Sequence, residues 1–90
     1  MPIIDRLSSS LGIRDDVPNQ ELAQELAKTG NRDDLNELAR NLFNRDKAVQ
    51  SDCLKVLYET GHIRPELISP YASDFLKLLK RELILIWNQH

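Results

Sequence analysis

Little in this chain could cross-link it, interrupt it or carry it through a membrane. There is one cysteine, Cys53, so no intramolecular disulfide can form, which permits a reducing compartment. Only three glycines and four prolines occur, and no segment is of low complexity. With so few glycines a phosphate-cradling loop is hard to build, and no nucleotide fingerprint is present. The formal net charge of −2 is close to balance, which argues against a strongly electrostatic binder of nucleic acid or membrane. The longest apolar run, residues 83–87, is far short of the roughly 20 residues that span a bilayer. The start, Met1-Pro-Ile-Ile-Asp-Arg6, has neither the basic opening nor the apolar stretch of a secretory signal. The expectation is a cytoplasmic protein with no membrane role.

What the chain does contain is helical periodicity. Apolar residues are 41% and charged residues 29% of the 90, the balance of an ordered globular chain rather than a disordered one. That length allows one domain, 1–90, with an adequate but not generous core. Ile3, Ile4, Leu7 and Leu11 predict a short helix over 3–11, ended by Gly12. Residues 14–18 read as a connector with a solvated acidic pair, Asp15-Asp16. Leu22, Ala23, Leu26 and Ala27 predict a second helix from Asn19 to Lys28, stopped by Gly30. Asn31 or Asp33 can cap a third, whose Leu35, Leu38, Ala39, Leu42 and Phe43 form the clearest amphipathic stripe.

The fourth predicted helix, 44–61, organises the chain. Asp46 or Asn44 can cap it, and Gly61 can end it in the left-handed conformation. Val49, Cys53, Val56, Leu57 and Thr60 share one face, which Leu54 and Tyr58 widen. The turn before it is so tight that the third and fourth helices should fold back as an antiparallel hairpin. Pro65 can open a helical turn, and Pro70 can interrupt or restart that segment. Ala72, Phe75, Leu76, Leu79, Leu83 and Ile86 then predict a fifth helix. No stretch alternates cleanly as a strand with a hairpin partner.

Shifting the third helix by about 37 residues sets Leu35 on Ala72, Leu38 on Phe75, Ala39 on Leu76 and Leu42 on Leu79, a period near those of helical solenoids. The run Leu35-Asn-Glu-Leu-Ala-Arg-Asn-Leu-Phe43, the turn residue Asp46, then Val49-Gln-Ser-Asp-Cys-Leu-Lys-Val-Leu-Tyr-Glu-Thr-Gly61 and Pro65 resembles a HEAT repeat. Gln50 stands where that armadillo-like family often has Arg. The resemblance implies an all-α fold: a short array of five helices built on HEAT-like antiparallel hairpins, an α-α superhelix. Residues 1–30 would be capping helices, 31–64 the central repeat and 65–90 a partial second repeat of a truncated array. It also implies that the fourth helix lines a binding surface.

Catalytic chemistry has no positive signal. Cys53 lies mid-helix on the apolar face without a neighbouring His, where cysteine acts as a small hydrophobe. Asp15-Asp16 and Asp33-Asp34 sit at helix starts, where capping is the expected role. His62 can meet the carbonyls ending the fourth helix, and with His90 and Cys53 it shows no metal-ligand spacing. The sequence therefore predicts no enzyme, no cofactor and no metal, but a protein-binding or scaffold module of unknown partner.

The residues expected to point away from the apolar face of the fourth helix are Lys47, Gln50, Ser51, Lys55 and Glu59. The run at 83–87 is a second candidate contact. Five consecutive apolar residues cannot all face one core, and Leu83, Ile84, Ile86 and Trp87 could mediate homo-oligomerisation. The alternative reading is a nucleic-acid-associated module using Arg40, Arg45, Lys47 and Lys55, a set blunted by the interleaved Asp46, Asp52 and Glu59.

Overall fold

A computed structural model describes residues 3–13 and 15–88, with the side chains of residue 79 and of 82–88 not described. Four α-helices carry the fold: α1 (Val17–Thr29), α2 (Arg32–Arg40), α3 (Lys47–Ile63) and α4 (Ala72–Asn88). Among the described residues there is no strand. The all-α expectation holds with four α-helices rather than five. Residues predicted as the first helix form only a 3-10 turn, Ile3–Arg6, followed by irregular turns and a left-handed Gly12.

Each helix boundary has a local cause. Asn31 accepts from the amides of Asp33 and Asp34 at the start of α2. Asp46 accepts from Ala48 and Val49 at the start of α3, while Asn44 holds the Asp46 amide. These bonds satisfy donors that a helix start leaves free, each worth about 1 kcal/mol. Gly30 ends α1 at φ 63°, which a side chain would resist. α1 opens at Val17 with Pro18 in its first turn, and Asn19 is an interior residue rather than the opening one.

Gly61 does not stop α3. The helix runs on to Ile63, and Gly61 has no left-handed backbone. Its missing side chain instead lets the next segment approach: a Cβ there would stand 2.9 Å from Cγ1 of Ile68. Two 3-10 turns follow, Pro65–Leu67 and Ser69–Tyr71, each opened with the help of a proline.

α3 is the central helix. It packs most extensively on α1 and also on α2, on the 3-10 turn Asn41–Phe43 and on the turn Pro65–Leu67. Leu7, Leu22, Leu26, Leu35, Leu38, Leu42, Val56 and Leu57 make one core, with Ile3 and Leu67 at its edges. The predicted stripe of the 3–11 segment ends early, since Leu11 is 53% exposed.

Two arginines tie the connector to the body. The Arg32 guanidinium donates to the Leu67 carbonyl at 2.9 Å and lies over the Tyr71 ring, while the Tyr71 hydroxyl donates to Asn36. Arg64 donates to the Ala27 carbonyl near the end of α1 at 2.9 Å and pairs with Glu66. They fix where α4 begins. α4 then packs against Asn41–Phe43, the turn whose Leu42 carbonyl is held by Gln50 of α3.

Candidate functional site

Among the described residues, the flank of α3 that carries Leu54 and Tyr58 borders an open groove. Leu57 forms the floor there and is fully buried, whereas Leu54 is at the surface and Tyr58 is 67% exposed. The opposite wall comes from the connector and the first turn of α4: Pro65, Ile68, Ala72 and Phe75. Between them lies an open groove of about 460 Å³. The polar residues among its lining are Tyr58, His62 and Ser69. Tyr58 and His62, one helical turn apart, stack with ring centroids 6.4 Å apart. His62 is thus used along the rim, and Arg64 rather than His62 supplies the amide bonded to the Thr60 carbonyl at the helix end.

Such a groove can hold apolar side chains, and its described lining residues bring together no catalytic constellation. The buried Cys53 thiol is pushed up to about 12 by desolvation, with Asp52 and Glu37 adding repulsion. At neutral pH it is a thiol, not a nucleophilic thiolate. Among the described residues no group of three or more His, Cys, Asp or Glu could hold a metal ion. Nor, among them, is any helix long and apolar enough to cross a membrane.

Among the described residues the one buried carboxylate, Asp52, is structural. Its Oδ2 accepts from the Ser9 amide at 2.8 Å and its Oδ1 from the Asn19 side chain at 3.0 Å. Asn19 in turn accepts from the Ser8 amide at 2.9 Å. This network fastens the N-terminal segment to α1 and α3, assisted by the Ile4 amide donating to Glu37. Burial alone would raise the Asp52 carboxyl, but hydrogen bonds from Ser9 and Asn19, together with Lys55, leave it below its ordinary value.

The surface residues predicted on α3 separate into three settings. Lys47 and Ser51 are exposed and share a helical stripe with Leu54 and Tyr58 of the groove wall, at i, i+4, i+7 and i+11. Lys55 is exposed on the other side, where it pairs with Asp16 at 3.1 Å, and Glu59 is half-buried. Gln50 does not point outward. It is buried, and its amide donates to the Leu42 carbonyl at 2.7 Å, closing the turn that precedes α3. The acidic pairs also divide: Asp15 accepts from the Val17 amide, Asp16 meets Lys55, and Asp33 and Asp34 occupy the first turn of α2 behind the Asn31 cap.

The basic set Arg40, Arg45, Lys47 and Lys55 is not one patch, because Lys55 is engaged with Asp16 across to α1. The candidate contacts Leu83, Ile84, Ile86 and Trp87 fall on α4, but their side chains lie outside the described residues, as does His90. Sequence reasoning missed the connector half of the groove, Pro65, Ile68 and Ser69. Its only sequence signal is a glycine, Gly61, in a helix that had no need to end there.

Compared with protein-family models, with curated proteins and with solved structures, the chain matches none.

Proposed function

We propose that this chain is a non-catalytic protein-interaction or scaffold module of the HEAT-like α-solenoid kind, with the open flank of α3 as its docking surface. The observation that carries this reading is the groove itself. Its floor belongs to the core, its walls are apolar, and Leu54 and Tyr58 stand at its mouth. In a helical stack the next inner helix would cover this flank. Among the described residues no side chain fills it, and helix-in-groove docking is the recognition mode such a shape favours.

The test places a photocrosslinking residue at position 58, and in a separate variant at Gln24 on the exposed side of α1, in extract from the native cell. A discrete protein adduct at 58 that is absent at 24, and that disappears when Leu54→Glu is added, is the expected result. Equal labelling at both positions would overturn the assignment of the groove.

A further inference from the structure

Residues 3–13 lie as a strap against the helices, and the polar ties that hold it lead to carboxylates. The Ile4 amide donates to Glu37 of α2 at 3.1 Å, Arg6 pairs with Glu25 of α1, and the Ser9 amide donates to Asp52 of α3 at 2.8 Å. The Ser8 amide donates to Asn19, whose own side-chain amide donates to Asp52, so the fourth tie also ends on an acid. By contrast, the strap's backbone hydrogen bonds are internal: Leu7 to Ile4, Leu11 to Leu7, Gly12 to Ser9 and Ile13 to Ser8. Among the described residues, no backbone–backbone bond joins it to a helix. Its buried apolar anchors are Ile3 and Leu7, with Ile4 packed at the edge, whereas most of the core belongs to α1, α2 and α3. The buried Ser8 hydroxyl has no hydrogen-bond partner among the described residues, which weakens the closed arrangement. The chain leaves the strap through Gly12, left-handed at φ 72° with open space around it, between the exposed Leu11 and Ile13.

We infer that residues 3–13 are an acid-released strap: protonation of Glu25, Glu37 and Asp52 frees the segment in one piece while α1, α2 and α3 stay packed, baring the apolar surface beneath Ile3 and Leu7. A neutral carboxyl is a weaker acceptor than a carboxylate and cannot pair with Arg6. The helices keep their own backbone ladders and the larger share of the core, so the strap is the part that opens at least cost. Hydrogen bonds hold Asp52 and Glu25 below their ordinary values, so the ties are intact above the ordinary carboxylate range and fail as pH falls through the folded values. Asp34 of α2 adds to the field on Arg6, and Lys55 of α3 adds to that on Asp52 while pairing with Asp16 of α1. The Cys53 thiol beside Asp52 and Glu37 is neutral throughout the acid range, and Asp5 is exposed on the strap itself.

The experiment follows backbone amides of the full chain by nitrogen-15 NMR from pH 7 to about pH 2.5, across the carboxylate range. Hydrogen exchange is measured alongside and corrected for its intrinsic pH dependence. The Ile4, Ser8 and Ser9 amides should lose their native positions and their protection together, while those of Leu26, Leu38 and Leu57 remain native. Two near-isosteric variants then loosen the strap at pH 7. Asp52→Asn leaves one acceptor for two donors and should speed exchange of the Ser9 amide at least about tenfold, with a smaller effect at Leu57. Glu37→Gln, at a half-buried position, makes one tie neutral and should speed exchange at Ile4 in the same local way.

One transition in which strap and helices lose their native signals together would overturn the release. So would strap amides that shift gradually as the carboxyls titrate yet keep their protection for as long as the helices are native, since the ties would then weaken without freeing the segment. In the variants, exchange accelerated equally at Ser9, Ile4 and Leu57 would mark a loss of global stability rather than a loosened strap, and would overturn it as well.

Discussion

Asp52 joins three segments distant in sequence: its carboxylate sits in α3, one donor is the Ser9 amide and the other is the Asn19 side chain of α1. Removing it by Asp52→Ala strands two donors at a buried position, which costs about 1–3 kcal/mol each where water cannot replace the bond. Its pH signature has a definite sign. Because the folded carboxyl lies below its ordinary value, its contribution is full above the unfolded pKa of about 3.9 and is lost as pH falls through the folded value. Glu25 and Glu66, held low by hydrogen bonds from Arg6 and Arg64, act in the same direction. Urea melts should therefore show stability level near neutrality and falling below about pH 4. Asp52→Asn should be less stable at pH 7 and lose less on acidification. An acid slope identical to that of the unchanged protein would show that Asp52 makes no such contribution.

At the scale of the element, Gly61 sets two effects against each other. Within a helix, Gly→Ala ordinarily gains about 1 kcal/mol. Here the added Cβ would meet Ile68 at 2.9 Å from Cγ1 and 3.3 Å from Cβ, atoms close to the backbone that cannot easily swing away. Gly61→Ala should thus bring no gain in stability. Combined with Ile68→Ala, the same change should become favourable by about the helical propensity difference. A double-mutant cycle by chemical denaturation measures this, and a gain from Gly61→Ala alone would deny the close approach. The same glycine shows where sequence reasoning succeeds and where it stops. Caps at Asn31 and Asp46, and the left-handed Gly30, are legible because each acts on backbone within three or four residues. The 3–11 segment reads as a helix because its apolar spacing is visible, whereas Ser8 and Ser9 are drawn out of helix by Asn19 and Asp52, far along the chain. Gln50 reads as a surface residue because its acceptor, the Leu42 carbonyl, belongs to a turn whose shape the sequence does not announce. The α3 wall of the groove was visible as a helix with too wide an apolar face. The connector wall depends on where Arg32 and Arg64 hold the chain after Ile63, which periodicity does not encode.

On the scale of the whole molecule, the faint repeat between α2 and α4 has an uneven outcome. Leu35, Leu38 and Ala39 are buried, yet their counterparts Ala72, Phe75 and Leu76 are exposed, half-buried and 59% exposed. Equivalent sequence positions differ because α2 is covered by the N-terminal segment and by α3, while the described part of α4 reaches the core mainly through Leu78 and Phe75. Stability and surface apolarity are then separable along a single helix. Leu57→Ala removes a fully buried side chain and should cost about 2–5 kcal/mol. Tyr58→Lys and Leu76→Lys, at positions that are mostly solvated, should stay within about 0.5 kcal/mol of the parent chain. The surface variants should also bind less of a fluorescent apolar dye, because they remove hydrophobic area from the flank that the core does not use. Denaturation midpoints and dye binding on the three variants decide the point together. A loss of several kcal/mol in Tyr58→Lys or Leu76→Lys would mean that the flank is closed in solution. Retained stability with diminished dye binding would establish that this face is surplus to folding and therefore open to a partner.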